Sequence, residues 1–236
     1  MPSALVTGSA RGIGKALVLA LAEQGYDVAI HYRFSEKEAR KVRETAVTHG
    51  GTCVLLKADV SRPLEAQRLV HQANERLGGL DVLVNNVGNY HYGPLDELAN
   101  QTWHEMFDSN LHSTFYTCQT AVPIMREAGG GRIINIGYAG AEIAKARPLI
   151  APYAIAKSAM ILYSRSLAKT VAGDGITVNV ISPGVMENSV TQPIDKIPMG
   201  RTGRLSEVVA AALYLLSPAA SYITGVTLEV AGGWNL

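Results

Sequence analysis

Tyr153 and Lys157 stand four residues apart inside a helix-length pattern, Pro152–Ala172, so their side chains share one face. A phenol with a pKa of about 10 is a poor acid or base at neutral pH. A neighbouring ammonium favours the phenolate and draws that pKa toward working pH, which is chemistry suited to moving a proton at an oxygen. The spacing alone also occurs on ordinary packed helices, so it needs a companion site. One lies at the start of the chain, where an apolar run ends in Thr7-Gly8-Ser9-Ala10-Arg11-Gly12-Ile13-Gly14 and a helical pattern follows at once. Glycines there let the backbone turn sharply and approach a pyrophosphate, and a helix start adds free N–H groups and a positive dipole end. The spacing is Gly-x-x-x-Gly-x-Gly, not the commoner Gly-x-Gly-x-x-Gly. A bare structural turn uses glycines too, but the strand–turn–helix context favours a dinucleotide cradle formed by Gly8, Ser9, Arg11, Gly12, Ile13 and Gly14.

The next strand end selects between nicotinamide cofactors. An acidic residue there holds a free ribose 2′-OH, whereas an arginine accommodates a 2′-phosphate. The chain reads His31-Tyr32-Arg33-Phe34-Ser35, with no carboxylate before Glu36. Arg33, with Arg11 inside the turn, therefore points to NADPH. Taken alone, Arg33 is equally a solvated loop residue.

These residues need a scaffold that brings strand ends together. Strand-length apolar runs fall near Ala4–Thr7, Asp27–Tyr32, Thr52–Lys57, Val82–Asn85, Arg132–Gly137, Thr177–Ile181 and Thr227–Val230. Between them lie helical patterns at Gly12–Gln24, Ser35–His49, Leu64–Leu77, Gln101–Glu127, Pro152–Ala172 and Ser206–Leu216. Several strands are continuously apolar, the mark of a sheet buried on both faces. The expected fold is a single-domain α/β Rossmann-type doubly wound parallel sheet of about seven strands with helices on both faces, spanning residues 1–236. With 47% hydrophobic and 17% charged residues the chain suits a buried core. A net charge of +1, from 21 basic and 20 acidic residues, gives no steering toward nucleic acid. Neither a secretory leader nor a bilayer-length apolar run is evident, so no membrane partner is expected. Cys53 and Cys118, both in apolar stretches, speak against a disulfide scaffold and for a reducing, cytoplasmic home. The six histidines are scattered, so no metal site is expected.

Six motifs in order carry a resemblance over essentially the whole chain. They are the Thr7–Gly14 turn, Asp59-Val60, Asn85-Asn86-Val87-Gly88, Asn110, Tyr153-Ala154-Ile155-Ala156-Lys157 and Ser182-Pro183-Gly184. The chain resembles the short-chain dehydrogenase/reductase family, with the flavour of its 3-oxoacyl-acyl-carrier-protein reductases. The resemblance implies that Asp59 bonds the adenine, with Val60 beside it, and that Asn86, Val87 and Gly88 line the cofactor. Val87 replaces the family's usual Ala. Pro183, Gly184 and Val185 are implied to flank the nicotinamide. Tyr153 becomes the catalytic proton donor, Lys157 also holds the nicotinamide ribose, and Asn110 continues the proton path through water. The segment 187–204 corresponds to the family's substrate lid, with Asn188 where many members carry a cofactor-touching Thr. A homotetramer is implied, built through the helices Gln101–Glu127 and Pro152–Ala172; Phe107, Leu111, Phe115, Ile161, Leu162 and Leu167 are apolar positions available to it.

One expected residue is missing. The family carries a Ser after the fifth strand, and here that position is Tyr138, within Ile136-Gly137-Tyr138-Ala139-Gly140. No Ser occurs between Gly131 and Tyr153. Tyr138 either takes over the Ser's hydrogen bond to substrate, fills the pocket as a ring, or packs away from the cleft. Asn89-Tyr90-His91-Tyr92 reads equally as cleft wall or surface loop, and Trp234 as a packing or interface anchor. The leading expectation is an NADPH-dependent reductase of a carbonyl, in a small molecule or an acyl-carrier-linked 3-oxoacyl thioester. A pteridine-type reductase and a catalytically weakened NADP-binding regulatory protein are the alternatives.

Overall fold

Residues 1–234 are described by the computed structural model; Asn235 and Leu236, the last two of the expected domain, lie outside the described residues. Both faces of its sheet are covered, which is why the strands read as unbroken apolar runs. The strands are β1 (Ser3–Val6), β2 (Asp27–Tyr32), β3 (Cys53–Lys57), β4 (Val82–Asn85), β5 (Gly131–Ile136), β6 (Ile176–Pro183) and β7 (Thr227–Val230). All neighbours are parallel, in the order β3-β2-β1-β4-β5-β6-β7. Alternate residues serve opposite layers: Ala4, Val6, Val82 and Val84 pack into one core, and Leu5 and Leu83 into the other.

The first core is closed by α1 (Gly12–Glu23), α2 (Glu36–Ala46) and α7 (Leu205–Leu216), through residues such as Leu17, Leu21, Val42 and Leu215. The second is closed by α3 (Pro63–Leu77), α5 (Ser113–Glu127) and α6 (Ala151–Val171), through Leu69, Val70, Met125 and Val171. A further helix, α4 (Asn100–Phe107), leads into α5. The expected doubly wound single domain is the fold observed.

Three local differences have physical causes. The helix expected over Ser35–His49 ends at Ala46, tightens into a 3₁₀ turn at Val47–His49, and stops at Gly50, whose φ of +89° suits glycine. The long helix expected over Gln101–Glu127 begins at Asn100 and is interrupted by a π turn at Asp108–His112, separating α4 from α5. Ile161, considered for a subunit contact, is 2% exposed and belongs to the core. Leu162 and Phe115, by contrast, are exposed on α6 and α5.

Chain order reverses at β1: β2 and β3 lie on one side of it and β4 on the other. Beyond the carboxyl ends of β1 and β4 this leaves a crevice, the usual ligand position in such a sheet. The segments singled out above leave from the carboxyl ends of five strands: Thr7–Gly14 after β1, Arg33 after β2, Asp59 after β3, Asn86–Gly88 after β4 and Tyr138 after β5.

Candidate active site

The turn after β1 is built so that backbone meets backbone. Gly8 and Gly12 have φ of +63° and +53°, the left-handed region that disfavours side chains. A Cβ on Gly14 would stand 2.5 Å from both the Gly8 carbonyl oxygen and Asn86 Nδ2, so only glycine lets α1 start there. Asn86 clamps the turn from the end of β4. Its side-chain amide donates to the carbonyls of Thr7 (3.0 Å) and Gly8 (3.1 Å), and its backbone N–H donates to Thr7 Oγ1. Arg11, extended at the N-cap of α1, supplies no side-chain cap, and the first turn holds no acidic residue. The helix start therefore keeps its N–H groups and positive dipole end for an anion. Ile13 packs against the first core, and Ser9 pairs with β2 through its backbone N–H to the His31 carbonyl.

Toward β2 and β3 the crevice widens into a cavity of about 270 Å³, lined in part by Gly8, Arg11, Arg33, Asp59, Val60 and Val87. The sequence suggested two guanidiniums with no acid nearby; tertiary structure supplies acids to both. Arg11 meets Glu38 of α2 at 2.6 Å, and Arg33 lies 3.3 Å from Asp59. The Arg11–Glu38 pair is exposed and so weakly held. Burial raises the Asp59 pKa, but hydrogen bonds from Ser61 and the charges of Arg33 and Arg62 outweigh it and hold the carboxyl below its ordinary value.

The second half of the crevice holds Tyr153 and Lys157 on α6. Lys157 is buried and donates to the carbonyl of Ile136 at 2.6 Å; burial lowers its pKa to about 8. Tyr153 is pushed up, first by burial and then by the neighbouring Tyr138 and Tyr90, so the phenol remains protonated at neutral pH. The expected drift of Tyr153 toward working pH is thus reversed, because desolvation dominates.

Asn110 sits in the π turn, and such turns often mark functional sites. Its amide nitrogen donates to the carbonyls of Asn89 and Met106, each at 2.9 Å, while its buried Oδ1 has no partner among the described residues. A Cβ on Gly88 would collide with that oxygen and stand 3.2 Å from Lys157 Nζ. Gly88 thus leaves Asn110 and Lys157 open to one small space, and the orphaned oxygen awaits a donor.

Tyr138 touches this site. Its ring centroid lies 5.1 Å from that of Tyr153, and its buried hydroxyl has no hydrogen-bond partner among the described residues. Tyr90, itself exposed, meets the Tyr153 ring edge-on at 5.1 Å, while Tyr92 of the same loop is exposed. The Arg147 guanidinium lies over the Tyr138 ring, 5.5 Å from its centroid, and donates to the Gly140 carbonyl. Burial raises the Tyr138 pKa, only partly offset by Arg147.

The remaining sequence candidates lie at and beyond the carboxyl end of β6. Pro183 ends β6, and a Cβ on Gly184 would approach Ala231 to 2.8 Å. The carbonyl of Val185 accepts from Gly203, and Glu187 donates to the Gly203 carbonyl, pinning the two ends of segment 187–204 together. Asn188 reaches back to the turn, its Nδ2 being 3.1 Å from where a Gly12 Cβ would stand. Sequence reasoning missed Glu38 and the side-chain bonds of Asn86 and His31. A histidine within a fully buried strand was the available signal for the last.

The cradle fits a dinucleotide: an uncapped helix start, a close-approach glycine turn, and unpartnered Asn110 Oδ1 beside a buried ammonium. A sequence-family model described as Enoyl-(Acyl carrier protein) reductase matches residues 8–235. The 3-oxoacyl-[acyl-carrier-protein] reductase FabG of Staphylococcus aureus is 35% identical over 240 residues, covering 98% of this chain and 97% of that protein. Among solved structures, a variant of a Serratia marcescens short-chain dehydrogenase/reductase matches with a TM-score of 0.93 and 35% identity, covering 100% of this chain and 98% of that one. A blue fluorescent protein from a metagenomic library, in complex with NADPH, matches at 0.92 and 32%, covering 100% and 98%.

Proposed function

The chain belongs to the short-chain dehydrogenase/reductase family, and from that premise we propose that it reduces the ketone of a 3-oxoacyl thioester, or a similar carbonyl, with NADPH. The observation that carries this reading is the meeting of Lys157 and the open Asn110 oxygen on the space beside Gly88, with Tyr153 one helical turn before Lys157 on the same face of α6. The nicotinamide, when bound, supplies a hydride to the carbonyl carbon. Tyr153, kept protonated by burial, gives its proton to the carbonyl oxygen. Lys157 holds the ribose hydroxyls, and Asn110 positions water for proton resupply.

Gly8, Ser9, Arg11, Gly12, Ile13 and Gly14 cradle the pyrophosphate, with Asp59 and Val60 at the adenine. Asn86, Val87 and Gly88 line one side, and Pro183, Gly184 and Val185 the nicotinamide end. A 2′-phosphate competes with Glu38 for Arg11 and adds to the charge facing Arg33. The NADPH complex of the 32% identical blue fluorescent protein supports the cofactor choice. Residues 187–204 act as the lid. Tyr138 gains in the substrate oxygen the partner its hydroxyl lacks. The exposed Leu162 and Phe115 support assembly into a homotetramer, whose test is sedimentation; a single-chain mass at micromolar concentration overturns it. No helix among the described residues is long and apolar enough to cross a membrane, consistent with a cytoplasmic enzyme.

The test is a turnover screen with NADPH and NADH against 3-oxoacyl thioesters, enoyl thioesters, quinones and dihydropterins. Preferred 3-oxoacyl reduction supports the reading. Preference for dihydropterin reassigns it to a pteridine-type reductase. Cofactor binding without turnover on any substrate identifies a regulatory protein.

A further inference from the structure

His31 lies in the middle layer of the protein with no place in the chemistry above. It is 1% exposed, the penultimate residue of β2, and its ring reaches across to the turn that follows β1. Nδ1 lies 2.9 Å from the backbone nitrogen of Gly8, and Nε2 lies 3.1 Å from the carbonyl oxygen of Ala58 at the end of β3. The partners dictate the tautomer. The Gly8 N–H can only donate, so Nδ1 must be bare; the Ala58 carbonyl can only accept, so Nε2 must carry the hydrogen. The backbone of His31 is bonded to the same turn: its N–H donates to Ser9 Oγ at 2.9 Å, and its carbonyl accepts from the Ser9 N–H at 3.0 Å.

Gly8 is a demanding residue to hold. Its φ is +63°, and without His31 its N–H would have to turn elsewhere for a partner. The opposite edge of the same peptide segment is held by Asn86 from β4, through the carbonyls of Thr7 and Gly8. Since β1 lies between β2 and β4, the turn is gripped from both flanking strands. Neither grip takes an N–H group from the first turn of α1.

We propose that His31 is a positioning residue for the dinucleotide cradle: as a neutral imidazole it fixes the Gly8 peptide so that the turn is set before cofactor arrives. The imidazole bridges three strand ends, β1 through Gly8, β2 through itself and β3 through Ala58. Burial lowers its pKa to about 4, in keeping with the bare Nδ1.

Two near-isosteric replacements separate the bonds. In His31→Asn the side-chain oxygen occupies the place of Nδ1 and keeps an acceptor for Gly8 while losing the Ala58 contact. In His31→Gln the terminal amide reaches the place of Nε2 and keeps a donor for Ala58 while losing the Gly8 acceptor. NADPH and NADH titrations should leave Asn within about threefold of the parent and weaken Gln at least tenfold. Equal losses in both variants make His31 a packing residue and overturn the proposal, as does full affinity in Gln. The parent protein provides an arm that needs no variant. Nitrogen NMR of the ring should show the Nε2–H tautomer unchanged between pH 8 and pH 5, and the Gly8 amide should resist hydrogen exchange as its strand neighbours do. The opposite tautomer or an unprotected Gly8 overturns the proposal. The inference rests on the nicotinamide reading of the cradle, and the two fail separately: a parent that binds neither cofactor sinks that reading, while the ring tautomer and Gly8 protection still judge the role of His31.

Discussion

The hydroxyl of Tyr138 is buried without a hydrogen-bond partner among the described residues, while its ring stands 5.1 Å from the ring of Tyr153, tilted by 47°. Buried hydroxyls are nearly always paired, so this one is held at a cost until something enters. A substrate oxygen bound to Tyr153 is the group our reading offers it. Tyr138→Phe should therefore leave the empty protein as stable as the parent or up to about 1 kcal/mol more so, since no native bond is lost. The same variant should slow single-turnover hydride transfer at least tenfold, the loss of one such donor typically costing about 10²–10³. An unchanged rate with Phe, together with a faster one in Tyr138→Ser, would make the ring an obstruction.

Tyr153→Phe should abolish nearly all turnover and keep cofactor affinity, because the ring stays and only the proton is lost. A variant retaining most activity on the best substrate would assign the general acid elsewhere.

Lys157 titrates near 8 in the fold against 10.5 for a free lysine. Between those values the unfolded chain binds more protons than the native one, so stability rises with pH across that window. Cofactor affinity should move the opposite way, falling as the ammonium is lost above about pH 8. Lys157→Met should bind weakly at every pH and show no such step; a step of the same size in that variant would place its origin in another group.

His31 acts in the same sense at lower pH. Its folded pKa of about 4 lies below the ordinary 6.5, so the native state stays neutral while the unfolded chain takes up a proton. Stability should fall as pH drops from 6.5 toward 4 and then level off, by ~3 kcal/mol at full extent given ~1.4 kcal/mol per unit. The charge of Asp59, in the segment after β3, opposes the shift only in part. Denaturant melts of the parent and His31→Asn should diverge over that range. Parallel curves would mean that the imidazole does not titrate as its burial requires.

NADPH should bind at least tenfold more tightly than NADH, ~1.4 kcal/mol. Arg33→Asp should remove most of that preference. Glu38→Gln, which frees Arg11 from its exposed partner, should tighten NADPH and leave NADH alone. Equal affinities in the parent would refute the preference, and an equal effect of Glu38→Gln on both cofactors would show that Arg11 does not meet the 2′-phosphate.

Much of this protein was written locally. Doubly buried strands must be apolar throughout, and helices must alternate with them, so strand number, parallel pairing and a crevice at the carboxyl ends could be read from the chain. Gly8, Gly12 and Gly14 announced their turn because a left-handed φ and a backbone approach admit little else, and Tyr153 and Lys157 declared a shared face through helical period. What joins distant segments was not legible. Glu38 and Asp59 reach the two arginines from α2 and β3, Tyr90 closes on Tyr153 from a loop with no pattern, and the π turn at Asp108–His112 leaves no mark in hydrophobic period. The pKa of Tyr153 depends on how much water the fold removes, a quantity no spacing encodes. His31 makes the same point: a histidine in a strand has many uses, and only the packed sheet sets Gly8 on one ring nitrogen and Ala58 on the other.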